Sequence, residues 1–428
     1  MLTRINARHA GYGVAAAALA LTALLATAVL RGGRPDPSAA TLAEAAPAGT
    51  IARYQATLRD TPDDYRTWAA LGAAYVQQAR ITVDPAYYPK AEGALKRSLA
   101  LNGSDGNHPA MIGMAALANA RHRFREAARW GERARRIVPS DPDLYGVLDD
   151  AYTQLGDYPA ATAAVARMNE LAPGVAAFTR ASYELETHGD DAGARRVLEQ
   201  ALRSAYTPSD TAFCRYYLGE LALHSGDLDR ADRQYRAART ADPSSVPALQ
   251  GIAKVQAVRG DLGAAIQGYR QVVARVPQPQ YLAELAALLR AAGRAGEAAG
   301  QERVLAEEQR LQAANGVVDD LAASEIAADT GDRAAALRHA RAEWSRRRSV
   351  IVADALAWAL HLNGRDAEAL RYAEQATRLG WRNALFYRHR GDIKAALGDR
   401  AGAARDRATA RDINPHLDLT IPAIGRAT

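Results

Sequence analysis

An alanine returns ten times along this chain, at Ala91, Ala127, Ala161, Ala194, Ala231, Ala265, Ala298, Ala336, Ala369 and Ala403, at spacings of 33 to 38 residues. Self-similarity at this period marks a stack of similar supersecondary units, each able to bury its apolar face only against its neighbours. A stack grows by adding interfaces, so 428 residues need not divide into two or three globular domains. Such a fold offers a long surface and no obvious reaction pocket, which points to binding.

The residues around each alanine specify the unit. Two helical patterns are separated by Gly156-Asp157, Gly189-Asp190, Gly226-Asp227, Gly260-Asp261, Gly331-Asp332 or Gly398-Asp399, whereas Gly293 and Gly364 are followed by arginine. Glycine can take the left-handed conformation that ends one helix, and aspartate can cap the next. The second unit has His122-Arg123 at this turn, a weaker specification. The alanine follows five residues after the glycine, where the second helix presses on the first and a larger side chain would hold the backbones apart. Pro139, Pro173, Pro243, Pro277 and Pro415 come twelve residues after the alanine and stop the second helix. No segment shows sustained period-two alternation, so the expected fold is all-α.

At Trp68, Leu71, Gly72 and Tyr75 the chain resembles the tetratricopeptide repeat family, and Leu148, Tyr152, Leu218, Gly219, Tyr235 and Ala238 echo the same signature. The resemblance covers roughly residues 50–417. It implies a right-handed superhelical solenoid of about ten units, first helices lining a concave face and second helices forming the convex back. It also implies a peptide or protein partner in the concavity. More narrowly, the chain resembles membrane-anchored or exported repeat proteins of actinobacteria, whose role is unassigned. Departures are the extra residues Ile81 to Pro85 in the first unit, longer or weaker second helices between Glu302 and Trp344, and no separate polar helix after residue 417. The polar last second helix, with Arg405, Asp406, Arg407, Arg411 and Asp412, is expected to face water itself.

Ahead of the stack, Arg4, Arg8 and His9 precede an apolar run from Val14 to Leu30, and Arg31 and Arg34 follow it. The run is long for a cleaved signal and slightly short for a comfortable span. Ala26-Thr27-Ala28 has the form of a cleavage site but lies inside it. The expectation is an uncleaved single-pass anchor in the cytoplasmic membrane over residues 1–31, with the body outside the cytoplasm; secretion after cleavage is the alternative. Residues 32–49 read as a flexible linker, 50–62 as an isolated second helix capping the solenoid of 50–417, and 418–428 as a tail.

Chemistry is sparse. Cys214 is the single cysteine, which excludes an intramolecular disulfide and a cysteine-based metal site. The sequence contains no nucleophile elbow, zinc-protease helix or phosphate loop. His122, His188, His224 and His361 fall near the ends of first helices, where a cation suits the dipole. No catalytic residue, metal or cofactor is expected, and no nucleic acid or small-molecule substrate.

The resemblance places the fifth and ninth positions of each first helix on the concave face. There the chain supplies Asp150, Tyr183, Tyr216, Glu220, Lys254, Asp354, Trp358, Arg388 and Asp392 as candidate partner-binding residues. With Glu325 counted, five acids face two bases although the chain carries a net +6. The pattern lacks the paired lysine and asparagine of the family's carboxylate-clamp members. Basic clusters at Arg121, Arg123, Arg125, Arg129, Arg133, Arg135 and Arg136, and at Arg346 to Arg348, fall on or beside second helices. They read as a solvated convex face or as a contact for anionic envelope polymer or lipid. The sequence therefore points to a non-enzymatic binding scaffold of a bacterial envelope; the alternatives are an adaptor to anionic envelope material and an accessory subunit of an envelope enzyme.

Overall fold

The computed structural model describes residues 47–417, apart from 104 and 105, together with Ile424. The first helix, α1 (Pro47–Asp60), is followed by α2 (Tyr65–Thr82), α3 (Tyr87–Leu101), α4 (His108–Ala120), α5 (Phe124–Arg135), α6 (Pro142–Leu155) and α7 (Tyr158–Leu171). Then come α8 (Val175–Thr187), α9 (Asp191–Arg203), α10 (Pro208–His224), α11 (Leu228–Ala241), α12 (Val246–Val258), α13 (Leu262–Arg275) and α14 (Pro279–Ala291). The last are α15 (Ala295–Ala314), α16 (Asp320–Asp329), α17 (Arg333–Arg346), α18 (Val350–Leu362), α19 (Asp366–Ala376), α20 (Ala384–Ala396) and α21 (Arg400–Ile413). From α2 on they pair consecutively into ten hairpins, and α1 covers the open end through Ile51 and Leu58.

The turn chemistry works as its residues dictate. Gly156, Gly189, Gly226, Gly260, Gly293, Gly331, Gly364 and Gly398 all have φ between 70° and 84°. His122 takes the same left-handed conformation at φ 58°, so tertiary packing imposes there what glycine permits elsewhere. Asp157, Asp190, Asp227, Asp261, Asp332 and Asp399 each accept a hydrogen bond from the backbone N–H three residues on. Arg123, Arg294 and Arg365, in the corresponding position, provide no such cap. All ten recurring alanines are at most 2% exposed. Packing across the pairs is equally tight: the Tyr235 ring lies between Gly219 and Gly251, and a Cβ on Gly219 would sit 2.5 Å from its Cε1.

The extra residues of the first unit lengthen α2 through Thr82 and end it at Val83, which is left-handed at φ 53°. Val83 to Ala86 then connect it to α3.

The array coils back onto itself. Val350 N–H donates to the Tyr158 hydroxyl at 2.9 Å across 192 residues. Arg382 Nε lies 3.1 Å from an Asp191 oxygen, and Asn414 Nδ2 donates to the Leu223 carbonyl at 3.2 Å, each across 191 residues. One turn of the coil therefore takes between five and six units, and the second turn seats the segments before α18, before α20 and after α21 on the helix-pair turns of the first.

The expected membrane location is corrected. Among the described residues no helix is long and apolar enough to cross a membrane. The run at residues 14–30 lies outside the described residues.

Candidate functional site

The concave face belongs to the first helices of the pairs, and consecutive ones touch, as α4 does α6 and α10 does α12. Over the first turn of the coil this face is filled with its own side chains. Arg180 on α8 is 1% exposed and donates to both oxygens of Asp150 on α6, at 3.1 and 3.0 Å. Burial works against the Arg180 charge, but Asp150 and Asp149 together outweigh it and hold it protonated. Arg80 from α2 reaches the same cluster, where burial and Arg180 pull its pKa down to about 10.

Further along, Lys254 on α12 is fully buried, 3.2 Å from Glu220 on α10. Tyr235 donates its hydroxyl proton to the other Glu220 oxygen at 2.5 Å. Tyr216, Gln250 and Glu284 form a ladder on consecutive first helices, 3.4 Å and then 3.0 Å between their polar atoms. Tyr183, half-buried, sets its ring 6.0 Å from that of Trp381 across the coil, edge to face. Asp150, Tyr183, Tyr216, Glu220 and Lys254 stand on first helices, and the structure engages them with neighbouring side chains and with the second turn.

In the second turn, between α16, α18 and α20, lies a concavity open to solvent. Ser324, Glu325 and Ala328 come from α16, and Asp354, Ala355 and Trp358 from α18. Trp381, Phe386 and His389 complete the far wall. The Trp358 ring is half-buried and stacks on His389, with centroids 4.1 Å apart and planes at 12°. His389 Nδ1 in turn lies 2.9 Å from Asp354 Oδ2. Two candidate residues, Asp354 and Trp358, therefore line one hollow. Arg388 and Asp392, also candidates, pair with each other at 2.9 Å on α20, and Arg407 from α21 also holds Asp392.

Spacing alone did not single out His389, Trp381 or Phe386. Trp381 precedes α20 in a connecting segment, and His389 lies one residue past the expected inward position at Arg388. The signal that could have found His389 is its offset of 35 residues from Asp354, one repeat period.

Part of each arginine cluster packs against the other segment, while Arg123, Arg129, Arg135 and Arg136 stay exposed. Arg125 donates to the Ser345 carbonyl at 3.0 Å, and Val318 N–H to the Arg121 carbonyl at 3.3 Å. Arg347 is 3% exposed, bonded to Gln154 and Glu343, and its guanidinium lies 5.0 Å from the Phe124 ring centre. Residues 121–125 and 345–347 thus meet along the seam between the turns of the coil. The four helix-end histidines find separate partners: His188 bonds the Glu184 carbonyl, His224 faces Glu186, His361 faces Asp366, and His122 lies buried on the Phe124 ring. Among the described residues no group of three or more histidine, cysteine, aspartate or glutamate side chains is placed to hold a metal. Cys214 is buried, which pushes its thiol up to about 12.

No family model matches the chain, nor does any curated protein sequence. Among solved structures it is similar to a human IFIT1 dimer at 14% identity, covering 92% of this chain and 94% of that one, with a TM-score of 0.48. A thermophilic TPR protein of Thermus thermophilus is 22% identical over 45% of this chain and 98% of its own, with a TM-score of 0.39. A tetratricopeptide repeat protein from Parabacteroides merdae is 18% identical over 59% of this chain and 98% of its own, with a TM-score of 0.34. These likenesses concern the fold alone. The ten helix pairs, with the buried alanine in register and glycine facing the second-helix side chain, carry the assignment themselves: the chain has the tetratricopeptide-repeat fold.

Proposed function

We propose that this protein is a non-catalytic binding scaffold that holds an extended segment of a protein partner in the hollow between α16, α18 and α20. The observation that carries the reading is the aromatic wall of the second turn. Trp358 stands half-buried on an open hollow beside Glu325, whereas Asp150, Tyr216, Glu220 and Lys254 of the first turn are buried against their neighbours. A flat aromatic side chain beside buried polar groups is the composition that concentrates binding energy at protein interfaces.

A photocrosslinking amino acid placed at Ala328, on the wall of the hollow, tests this against the same group at Tyr206, which is 92% exposed. The partner is expected to crosslink from position 328 and not from 206, and Trp358→Ala should abolish the product. Equal yields from both positions, or a product indifferent to Trp358→Ala, would overturn the proposal.

A further inference from the structure

We propose that the hollow receives the side chain of a lysine or arginine presented by the partner segment. The inference rests on the reading above and adds to it the chemistry of the occupant. Asp354 is 6% exposed, its Oδ2 is held by His389, and its Oδ1 is buried with no hydrogen-bond partner. A buried carboxylate oxygen without a donor is costly, and a ligand that brings one recovers that cost. Glu325 lines the same hollow, half-buried, so the wall carries two acidic groups. No lysine or arginine is among the residues that line it.

Apart from Ser324, Asn383 and His389, the remaining walls are apolar. Ile351, Leu385 and Phe386 border the hollow with Trp358. Such walls suit the methylene stem of a long side chain whose charged head ends at the carboxylates. An acidic side chain would meet like charge, and an aliphatic one would leave Asp354 Oδ1 bare. The chain as a whole carries +6, so a preference for cations here runs against the average charge of the molecule and is a property of the site.

The test is selection of a displayed library of random nonapeptides on the full chain, run in parallel on Asp354→Asn and Trp358→Ala, with circular dichroism to confirm folding. Peptides retained by the wild type are expected to carry lysine or arginine at one shared position, at least fivefold above its frequency in the library. Asp354→Asn should return that position to the library frequency while still retaining peptides, and Trp358→Ala should retain few. Should Asp354→Asn fail to fold, Glu325→Gln replaces it, with the enrichment expected to fall at least twofold. Retained peptides with no basic preference, or a preference untouched by these substitutions, would overturn this inference and leave the site standing. Retention unchanged by Trp358→Ala would remove the site and the inference together.

Discussion

At the scale of single residues, the turn between the two helices of a pair carries much of the local specification, and its exceptions make predictions. Arg294 occupies the cap of α15 without a side-chain cap bond, and its exposed two-point pairing with Glu297, at 2.7 and 2.9 Å, offsets only part of what a cap would contribute. Arg294→Asp is expected to restore the cap and stabilise the protein by about 1 kcal/mol, read as a higher melting temperature in calorimetry. A second residue-scale effect comes from buried acids. Burial, with Asp141 adding to it, pushes the Asp143 carboxyl up to about 7. Its folded pKa lies above its unfolded one, so the folded state holds the extra proton and stability falls as pH rises from about 4 to about 7. Burial shifts Asp149, Asp150 and Glu284 in the same direction. Asp143 should therefore lower the melting temperature from pH 5 to pH 7.5, against the opposite effect of buried His122, and Asp143→Asn should remove its share of the slope; an unchanged slope would contradict the assignment.

At the scale of elements, consecutive first helices are coupled by polar side chains one repeat apart. Glu220 and Lys254 are separated by 34 residues, as are Tyr216 and Gln250, and Gln250 and Glu284. These contacts join α10, α12 and α14 through a buried face that would otherwise hold only small apolar residues. Buried pairs of this type add little over an apolar replacement, but breaking one strands a charge. Glu220→Ala removes the bonded partner of buried Lys254, with Glu284 still acting on its charge, and is expected to cost up to about 3–5 kcal/mol. The measurement is urea unfolding, with hydrogen exchange to show that protection is lost mainly in α10 to α13, since stability in such arrays is a sum of neighbour terms. A loss below 1 kcal/mol would mean that Lys254 reaches water.

At the scale of the whole molecule, the second turn of the coil seats on the first, and glycine makes room for it. A Cβ on Gly189 would lie 2.5 Å from the Gly380 carbonyl oxygen, whereas one on Gly260 would meet nothing within 4 Å. Both glycines are left-handed, at φ 82° and 84°, so alanine pays the same backbone strain at either position. Gly189→Ala is expected to be more destabilising than Gly260→Ala and to expand the molecule, seen as a larger radius of gyration in small-angle scattering. Equal effects of the two substitutions would mean that the turns of the coil do not touch in solution.

The sequence by itself determined the unit. The period, the glycine-aspartate turn, the alanine and the stopping proline are local requirements of two helices pressed together, and each can be read within one repeat. Which positions of a repeat stand on the inner face came from the family resemblance, and His389, one residue off those positions, escaped it. Tertiary structure alone decided what those side chains do. Tyr216, Glu220 and Lys254 read as a binding patch because spacing reports a face and not whether that face is filled. The arginines at 121–125 and 346–348 read as two surface clusters because nothing in either segment announces the other, more than 200 residues away. Whether a coil meets itself depends on the small rotation between successive units, accumulated over five or six of them. That sum brought the second turn of the coil onto the helix-pair turns of the first.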